Sequence, residues 1–284
     1  MLALKDINLR ISQKFSIQDI NLSVNQGERF ALLGPNGMGK STLIDIMTET
    51  IRPDSGTVRI GENSFHKMKH DIGVLYEYTP MFYYSTVKEI LAYLCVIHNV
   101  AFDHLAPFVE KLQMQDKIGS LSKVLSKGER RKAGILFALV HDPSILILDE
   151  PTAGMDPFMR DSCWQIFKTN GRTIFFTTHY WDEAAEHADK IAFIVDGRII
   201  GVDSPKAFLS NHLVCRRKYC VDMPFDTNLI HDSARHVANQ DKYHIYPQDE
   251  KATKQIIEKN ASAFSVSEIN LKDIYLYLAK YGGD

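Results

Sequence analysis

Residues 34–42 read GPNGMGKST, between the apolar run RFALL and the segment LIDIMTE. Three glycines, a proline and one lysine at a handover from strand to helix constrain this chain more than any other stretch. Glycine takes backbone dihedrals that cost other residues energy, so such a loop can turn several N–H groups toward one point. The run matches G-x-x-x-x-G-K-[ST], with Gly34, Gly39, Lys40 and Ser41 in the fixed positions. Loop amides and the positive end of the following helix suit phosphates; the lysine reaches the β- and γ-phosphates, and the serine hydroxyl ligates Mg²⁺. Residues 30–33 read as a buried strand and residues 42–48 as the start of a helix, the context this chemistry requires.

The remainder of the chain bounds what this loop can serve. A length of 284 residues accommodates one large or two modest domains. With 45% hydrophobic and 24% charged residues and a formal net charge of −2, the chain gives no support to wholesale nucleic-acid binding, and no nucleic-acid partner is expected. Cys95, Cys163, Cys215 and Cys220 form no C-x-x-C pair, which fits a reduced setting and argues against a zinc site. Apolar runs such as ILAYLCVI, residues 90–97, fall far short of the roughly 20 residues that cross a bilayer. The start, MLALKDINLR, lacks the basic and apolar regions of a secretory signal. The expectation is a chain that neither spans a membrane nor is secreted, and that meets any membrane through a partner.

Residues 2–33 alternate β-branched or apolar residues with polar ones, as in LALKDINLRI and IQDINLSV, and predict strands. After the glycine loop and its helix come the turn RPDSG and the short strands TVRI and DIGVLY. Thr86 and Glu89 form a capping box that opens the helix VKEILAYLCVIH; DHLAPFVEKLQM supplies a second helix, and a third starts at Ser126. Then follow the buried strand SILILDE, the helix DPFMRDSCWQIFKT, the strand RTIFFTTH and the helix YWDEAAEHA. Asp196-Gly197, between IAFIV and RIIGVD, marks a hairpin. This alternation predicts an α/β fold: a largely parallel sheet, an antiparallel N-terminal element and a helical insertion near residues 78–142. The domain boundary is expected at residue 204, where Ser204 caps a helix with Pro205 in its first turn. Residues 205–284 read as a small α/β extension with strands KYCVDM and YHIYPQ and helices ATKQIIEKN and LKDIYLYLAKYG.

Two further motifs carry chemistry. ILILDEPT ends a buried strand in Asp149 and Glu150, at the sheet edge where ligands of open α/β sheets bind. One such carboxylate serves Mg²⁺, and its neighbour is placed to accept a proton from an attacking water. LSKGERRKAG, residues 125–134, sets Ser126 and Glu129 in capping-box relation, so the helix N-terminus offers N–H groups and a dipole to an anion, while Gly128 permits close approach.

In this order, GPNGMGKST, LSKGE and ILILDEP resemble the ATP-binding cassette (ABC) ATPases, over about residues 2–204. TAGMD, residues 152–156, is similar to the family's dimer-contacting loop, and His179 in TTH to its switch histidine. The resemblance implies a P-loop NTPase-type fold with a helical signature subdomain, an ATPase activity, and ATP and Mg²⁺ as ligands. It implies two cassettes packed head to tail, so that Ser126, Gly128 and Glu129 of one face the γ-phosphate held by the loop of the other. Gly34, Pro35, Asn36, Gly37, Gly39, Lys40, Ser41 and Thr42 would hold the nucleotide, Ser41 and Asp149 the Mg²⁺; Glu150 would act as general base, and His179 would position the γ-phosphate and the attacking water.

Three positions depart from the family pattern. Glu77 stands where a glutamine usually contacts metal and water, and it lacks the amide donor. Lys127 replaces a glycine within the signature. The adenine-stacking position has Phe15 as its nearest aromatic, with Ile11 and Ser12 as the alternatives. YEYTPMFYY, residues 76–84, sets five aromatics beside Glu77, where this family docks a short cytoplasmic helix of a membrane subunit. The tail INLKDIYLYLAKYG loosely resembles the ending of exporter-type cassettes for drugs, antibiotics, peptides or lipids. The implied protein is a peripheral subunit on the cytoplasmic face of a membrane, partnered by a second ATPase subunit and an integral membrane permease. A regulatory or immunity ABC protein with weak hydrolysis, and a soluble non-transport ABC ATPase, are the alternatives.

Overall fold

The computed structural model describes residues 2–211, 213 and 215–282. It separates into two compact units, Met1–Ile199 and Ile200–Asp284, dividing a few residues before the boundary expected from sequence.

The first unit opens with β1 (Leu2–Arg10) and β2 (Ser16–Val24), which pair antiparallel. Their alternation is not uniform. Leu2 and Leu4 are buried, then Ile7 and Leu9; on β2, Ile17 is buried, then Ile20, Leu22 and Val24. The change of parity falls at register shifts next to Asp6 (φ 52°) and Asp19 (φ 50°), residues whose short polar side chains tolerate left-handed backbone. Each bulge returns the apolar residues to one face, which packs with Leu43, Ile44, Ile46 and Met47 of α1 (Lys40–Met47) and with Phe30 of β3 (Arg29–Leu33). β4 (Ser55–Ile60) pairs with the other edge of β1, giving a three-stranded sheet ordered β2-β1-β4. After the short helix α2 (Phe65–Met68) the chain enters β5 (Ile72–Leu75).

The helical stretch holds α3 (Val87–His98), α4 (Ala106–Lys111) and α5 (Lys127–Leu139). Residues 103–114, expected as one helix, instead form a 3-10 turn over Phe102–Leu105 and then α4, which carries Pro107 in its first turn. Proline has no N–H to donate, so the helix starts afresh around it. β6 (Ile145–Asp149), α6 (Pro157–Phe167), β7 (Thr173–Thr178), α7 (Trp181–His187), β8 (Lys190–Val195) and β9 (Arg198–Asp203) follow. The main sheet has the order β5-β6-β7-β3-β8-β9, with β5, β6, β7, β3 and β8 parallel to their neighbours. Asp196 (φ 45°) and Gly197 (φ 76°) make the two-residue turn between β8 and β9. Parallel strands end at one edge, so the residues following β3, β5, β6 and β7 are neighbours in space although they are far apart in sequence.

The second unit contains α8 (Pro205–Asn211), β10 (Arg217–Asp222), β11 (Ala234–Asn239), β12 (Lys242–Pro247), α9 (Glu250–Asn260), β13 (Phe264–Glu268) and α10 (Leu271–Tyr281). Its antiparallel sheet runs β11-β12-β10-β13 over a core that includes Tyr219, Val221, Ile245 and Ile257. β11 carries no run of alternating apolar residues, and β13 alternates only Phe264 and Val266 with serines, both of them exposed; neither strand is among those expected from the sequence. Among the described residues, no single helix is long and apolar enough to cross a membrane.

Candidate functional site

The glycine loop leaves β3 and enters α1. Gly39 has φ 98°, and a Cβ there would stand 2.5 Å from Ile17 Cδ1; at Gly34 a Cβ would stand 2.7 Å from Ile194 O. Both positions therefore exclude a side chain, one by backbone conformation and both by space. Lys40 follows as the first residue of α1, 6% exposed, and its Nζ donates to Gly34 O (2.8 Å) and Pro35 O (3.1 Å).

Two strands away in the sheet, β6 delivers Asp149 and Glu150. Asp149 Oδ1 accepts from Thr177 Oγ1 of β7 at 2.5 Å, and Glu150 N donates to the same Oγ1 at 3.0 Å. Glu150 adopts φ 49°, which turns the chain out of the strand. Its carboxylate is buried; Oε1 lies 3.1 Å from Lys40 Nζ, and Oε2 lies 2.6 Å from Nδ1 of His179, the residue after β7. Oε1 receives no aligned hydrogen bond, so a buried acceptor atom at this edge has capacity to spare. Asp45 of α1 is pushed above the ordinary carboxyl range, first by burial and then by the charge of Asp149, a mark of crowded negative charge beside the loop.

A cleft of about 420 Å³ opens on these groups. It is lined by Asn36, Gly37, Gly39, Lys40, Ser41 and Thr42 of the loop and α1, by the carboxylate residues Glu77 and Glu150, and by Ile11 and Phe15. Ser12, the third candidate for the aromatic position, lines a different surface hollow together with Phe15. The residues fit a Mg²⁺-nucleotide: the loop offers N–H groups and a cation, Ser41 a hydroxyl, Asp149 and Glu150 hard oxygen donors, and the buried Glu150 Oε1 meets Lys40 Nζ at 3.1 Å without accepting an aligned hydrogen bond. Among the described residues no group of three or more His, Cys, Asp or Glu could hold a metal by itself. Mg²⁺ is suited to that arrangement, because it keeps several waters and takes one or two carboxylates plus substrate phosphates.

The signature residues lie elsewhere. Ser126 caps α5: Glu129 N donates to Ser126 Oγ (3.2 Å) and Ser126 N to Glu129 Oε2 (2.8 Å). Hydrogen bonding from Lys117, then from Ser126, holds the Glu129 carboxyl down to about 2. None of Ser126, Gly128 and Glu129 lines the cleft. Gly128 adopts no left-handed backbone and a Cβ there would meet nothing within 4 Å, yet glycine in a helix costs roughly 0.5–1 kcal/mol relative to alanine. Nothing among the described residues accounts for that cost.

Two residues at the site were not legible in the motifs. Glu183, on α7, is 7% exposed; Oε1 accepts from Thr152 Oγ1 and from Trp164 Nε1 (3.0 Å), and Oε2 accepts from Thr178 Oγ1 (2.5 Å). It thereby ties the segment after Glu150 to the residue before His179. Arg131, on α5, is 7% exposed and donates to main-chain carbonyls just after β5 and at and just after the end of β6. A basic residue at i−4 from the buried Ile135 was the available signal, since helical spacing puts both on one face.

Comparison with known proteins agrees with this geometry. The family model described as ABC transporter matches residues 17–153. The Nod factor export ATP-binding protein I of Burkholderia orbicola (strain AU 1054) is 32% identical over 74% of this chain and 73% of its own length. The protein of the same name from Ralstonia nicotianae (strain ATCC BAA-1114 / GMI1000) is 26% identical over 98% of this chain and 93% of its own, so the likeness extends through the second unit. A solved structure of an ATP-binding subunit of an ABC transporter shares the fold, with a TM-score of 0.67 and 23% identity over 74% of this chain and 92% of that one. The glycine loop, the carboxylates at the end of β6 and the mostly parallel sheet with its antiparallel N-terminal element are those of one family: this chain belongs to the ATP-binding, ATP-hydrolysing subunits of ABC transporters.

Proposed function

We propose that this chain powers an exporter: two cassettes close on ATP, and their closure drives a separate membrane permease that moves a drug, an antimicrobial peptide or a lipid. The export names of its relatives support the direction of transport. The observation that carries the catalytic reading is the buried Glu150 carboxylate, with one oxygen 3.1 Å from Lys40 Nζ and unfilled by any aligned donor, and the other 2.6 Å from His179 Nδ1.

Lys40 exchanges its bonds to the Gly34 and Pro35 carbonyls for the phosphates of ATP, and the loop amides share that charge. Ser41 and Asp149 would hold Mg²⁺, which would supply neutralisation of phosphate charge, and Glu77 lines the same cleft where the family carries glutamine. Freed from Lys40, Glu150 accepts the proton of the attacking water, and His179 orients it. Phosphoryl transfer is chiefly positioning and charge stabilisation, so these contacts account for most of the catalysis. The exposed N-terminus of α5, with Ser126 as its cap and a glycine that serves no need of its own chain, meets the γ-phosphate bound by a second cassette.

Tyr78, Phe82, Tyr83 and Tyr84 stand 54–82% exposed, whereas Tyr76 packs against the core. Arg130 lies over the Tyr83 ring and Lys123 over the Tyr84 ring. An apolar surface of this kind on a monomer marks a binding face, and we assign it to the permease. The chain then sits peripherally on the cytoplasmic face of the membrane. Co-purification with a multispan membrane protein, lost when Tyr83 and Tyr84 become Ser, tests the docking face; retention by that variant refutes it. For the chemistry, Glu150→Gln is expected to bind ATP, accumulate a closed dimer and lose about 10²- to 10⁴-fold in turnover. Undiminished hydrolysis contradicts the role of Glu150.

A further inference from the structure

Arg131 lies on the buried face of α5, five residues beyond the Ser126 cap. A guanidinium has five N–H bonds, and here each meets a backbone carbonyl. Nη1 donates to Tyr76 O (2.6 Å) and Glu77 O (2.9 Å), Nε to Pro151 O (3.3 Å), and Nη2 to Asp149 O and Glu150 O. No carboxylate lies within ion-pair distance of it among the described residues. A buried cation is costly unless its donors are all satisfied; carbonyl oxygens satisfy the donors of this one, and the charges of Asp149, Glu77 and Glu150 favour it from beyond ion-pair distance.

The carbonyls come from two segments only, the ends of the paired strands β5 and β6. One segment carries Glu77. The other contains Glu150 in left-handed backbone, a conformation that costs a non-glycine residue about 1–2 kcal/mol and persists only where its surroundings hold it. Arg131 grips the carbonyls on both sides of the Glu150 Cα. Nearby, Gly134 lets α5 press close to β5: a Cβ there would stand 2.7 Å from Thr79 Oγ1 and 2.9 Å from Leu75 Cδ1.

We propose that Arg131 is a positioning residue for hydrolysis, which locks the Glu150 turn and the Glu77 backbone to the signature helix. When α5 shifts on meeting the nucleotide of a second cassette, the shift reaches Glu150 through the Arg131 bonds to Asp149 O, Glu150 O and Pro151 O, and the Glu77 backbone through the two Nη1 bonds. The proposal rests on the catalytic reading above. Its consequence is that Arg131 touches neither substrate nor reacting atoms, yet sets the direction of the carboxylate.

The test compares Arg131→Lys and Arg131→Gln with wild type and with Lys132→Gln as a neighbouring-charge control, measuring ATP turnover, KM for ATP and amide hydrogen exchange. Arg131→Lys retains a cation and an aliphatic stem, so it carries the test if Arg131→Gln does not fold. Both variants are expected to lose about 10²-fold in kcat while KM changes less than about threefold, because the loop that binds nucleotide is untouched. Amides of residues 76–79 and 149–154 are expected to exchange about tenfold faster in both segments together. Wild-type kcat in the variants, a rise in KM that accounts for the loss, or unchanged exchange in either segment overturns the proposal. Absence of ATP hydrolysis by wild type would sink the catalytic reading and with it the role in hydrolysis, whereas unchanged exchange with normal wild-type turnover would sink the Arg131 lock alone, so the two failures are distinguishable.

Discussion

Among the described residues, each unit of this protein buries one lysine against one carboxylate, and the two pairs are not alike. Lys40 and Glu150 lie 3.1 Å apart with side chains 6% and 7% exposed; Lys218 and Asp273 are in contact with side chains 9% and 1% exposed. Asp273 is saturated. Oδ1 accepts from Lys218 Nζ and from Tyr246 OH (3.2 Å), with His244 Nδ1 at 3.3 Å, and Oδ2 accepts from Asn270 N (3.0 Å) as part of the α10 capping box. Glu150 has an oxygen to spare, and its lysine also rests on two carbonyls beside an open cleft. Burial of an ion pair thus says little about its purpose; the unfilled valence beside a cleft is what separates a site from a fastening.

That difference predicts opposite responses to the same change. Lys218→Met strands the buried Asp273 charge and is expected to destabilise the second unit by about 3–5 kcal/mol, while ATP turnover per folded molecule stays at the wild-type level. Adding Asp273→Leu is expected to recover most of that loss. Lys40→Met is expected to do the reverse, with a melting temperature within a few degrees of wild type and turnover reduced about 10³-fold. Calorimetry and steady-state ATPase assays on the three variants check this, and a large loss of stability in Lys40→Met would erase the distinction.

A smaller effect appears with pH. Burial raises the Asp273 carboxyl, but bonds from His244 and Lys218 outweigh it and hold the group below the ordinary 3.8. A depressed carboxyl contributes stability that is complete above its unfolded value and is lost as pH falls through the folded one. The stability gap between wild type and Asp273→Asn should therefore be constant from pH 5 upward and narrow as pH drops below about 4. A gap independent of pH down to 2 would show that the carboxylate charge does not matter there.

What could be read from residues alone follows the same division. GPNGMGKST is legible because its chemistry is contiguous, and Glu150 because a buried strand announces the carboxylates that end it. The bulges at Asp6 and Asp19 were not foreseen, since a left-handed aspartate looks like any other polar residue in an alternating strand. Arg131 lies within the charge run GERRK; its spacing from Ile135 signals only the buried face of α5, and its five carbonyl partners, delivered by β5 and β6 from 54 residues before and 20 after, reveal its role. The Lys218–Asp273 fastening spans 55 residues of the tail, where β11 has no apolar alternation and that of β13 is only the exposed pair Phe264 and Val266, too short to announce the sheet that joins them. Local chemistry is written locally, whereas satisfaction of a buried charge is a property of the assembled fold.

The central claim is that one cassette supplies Lys40 and Glu150 while another supplies Ser126 to the same ATP. The most direct measurement mixes two inactive variants, Lys40→Ala and Ser126→Arg, and reads steady-state ATP hydrolysis. If sites form across two copies, random pairing leaves one intact site in half of the dimers, and turnover should return to about a quarter of wild type. Mixtures that remain as inactive as the separate variants would contradict a site shared between two chains.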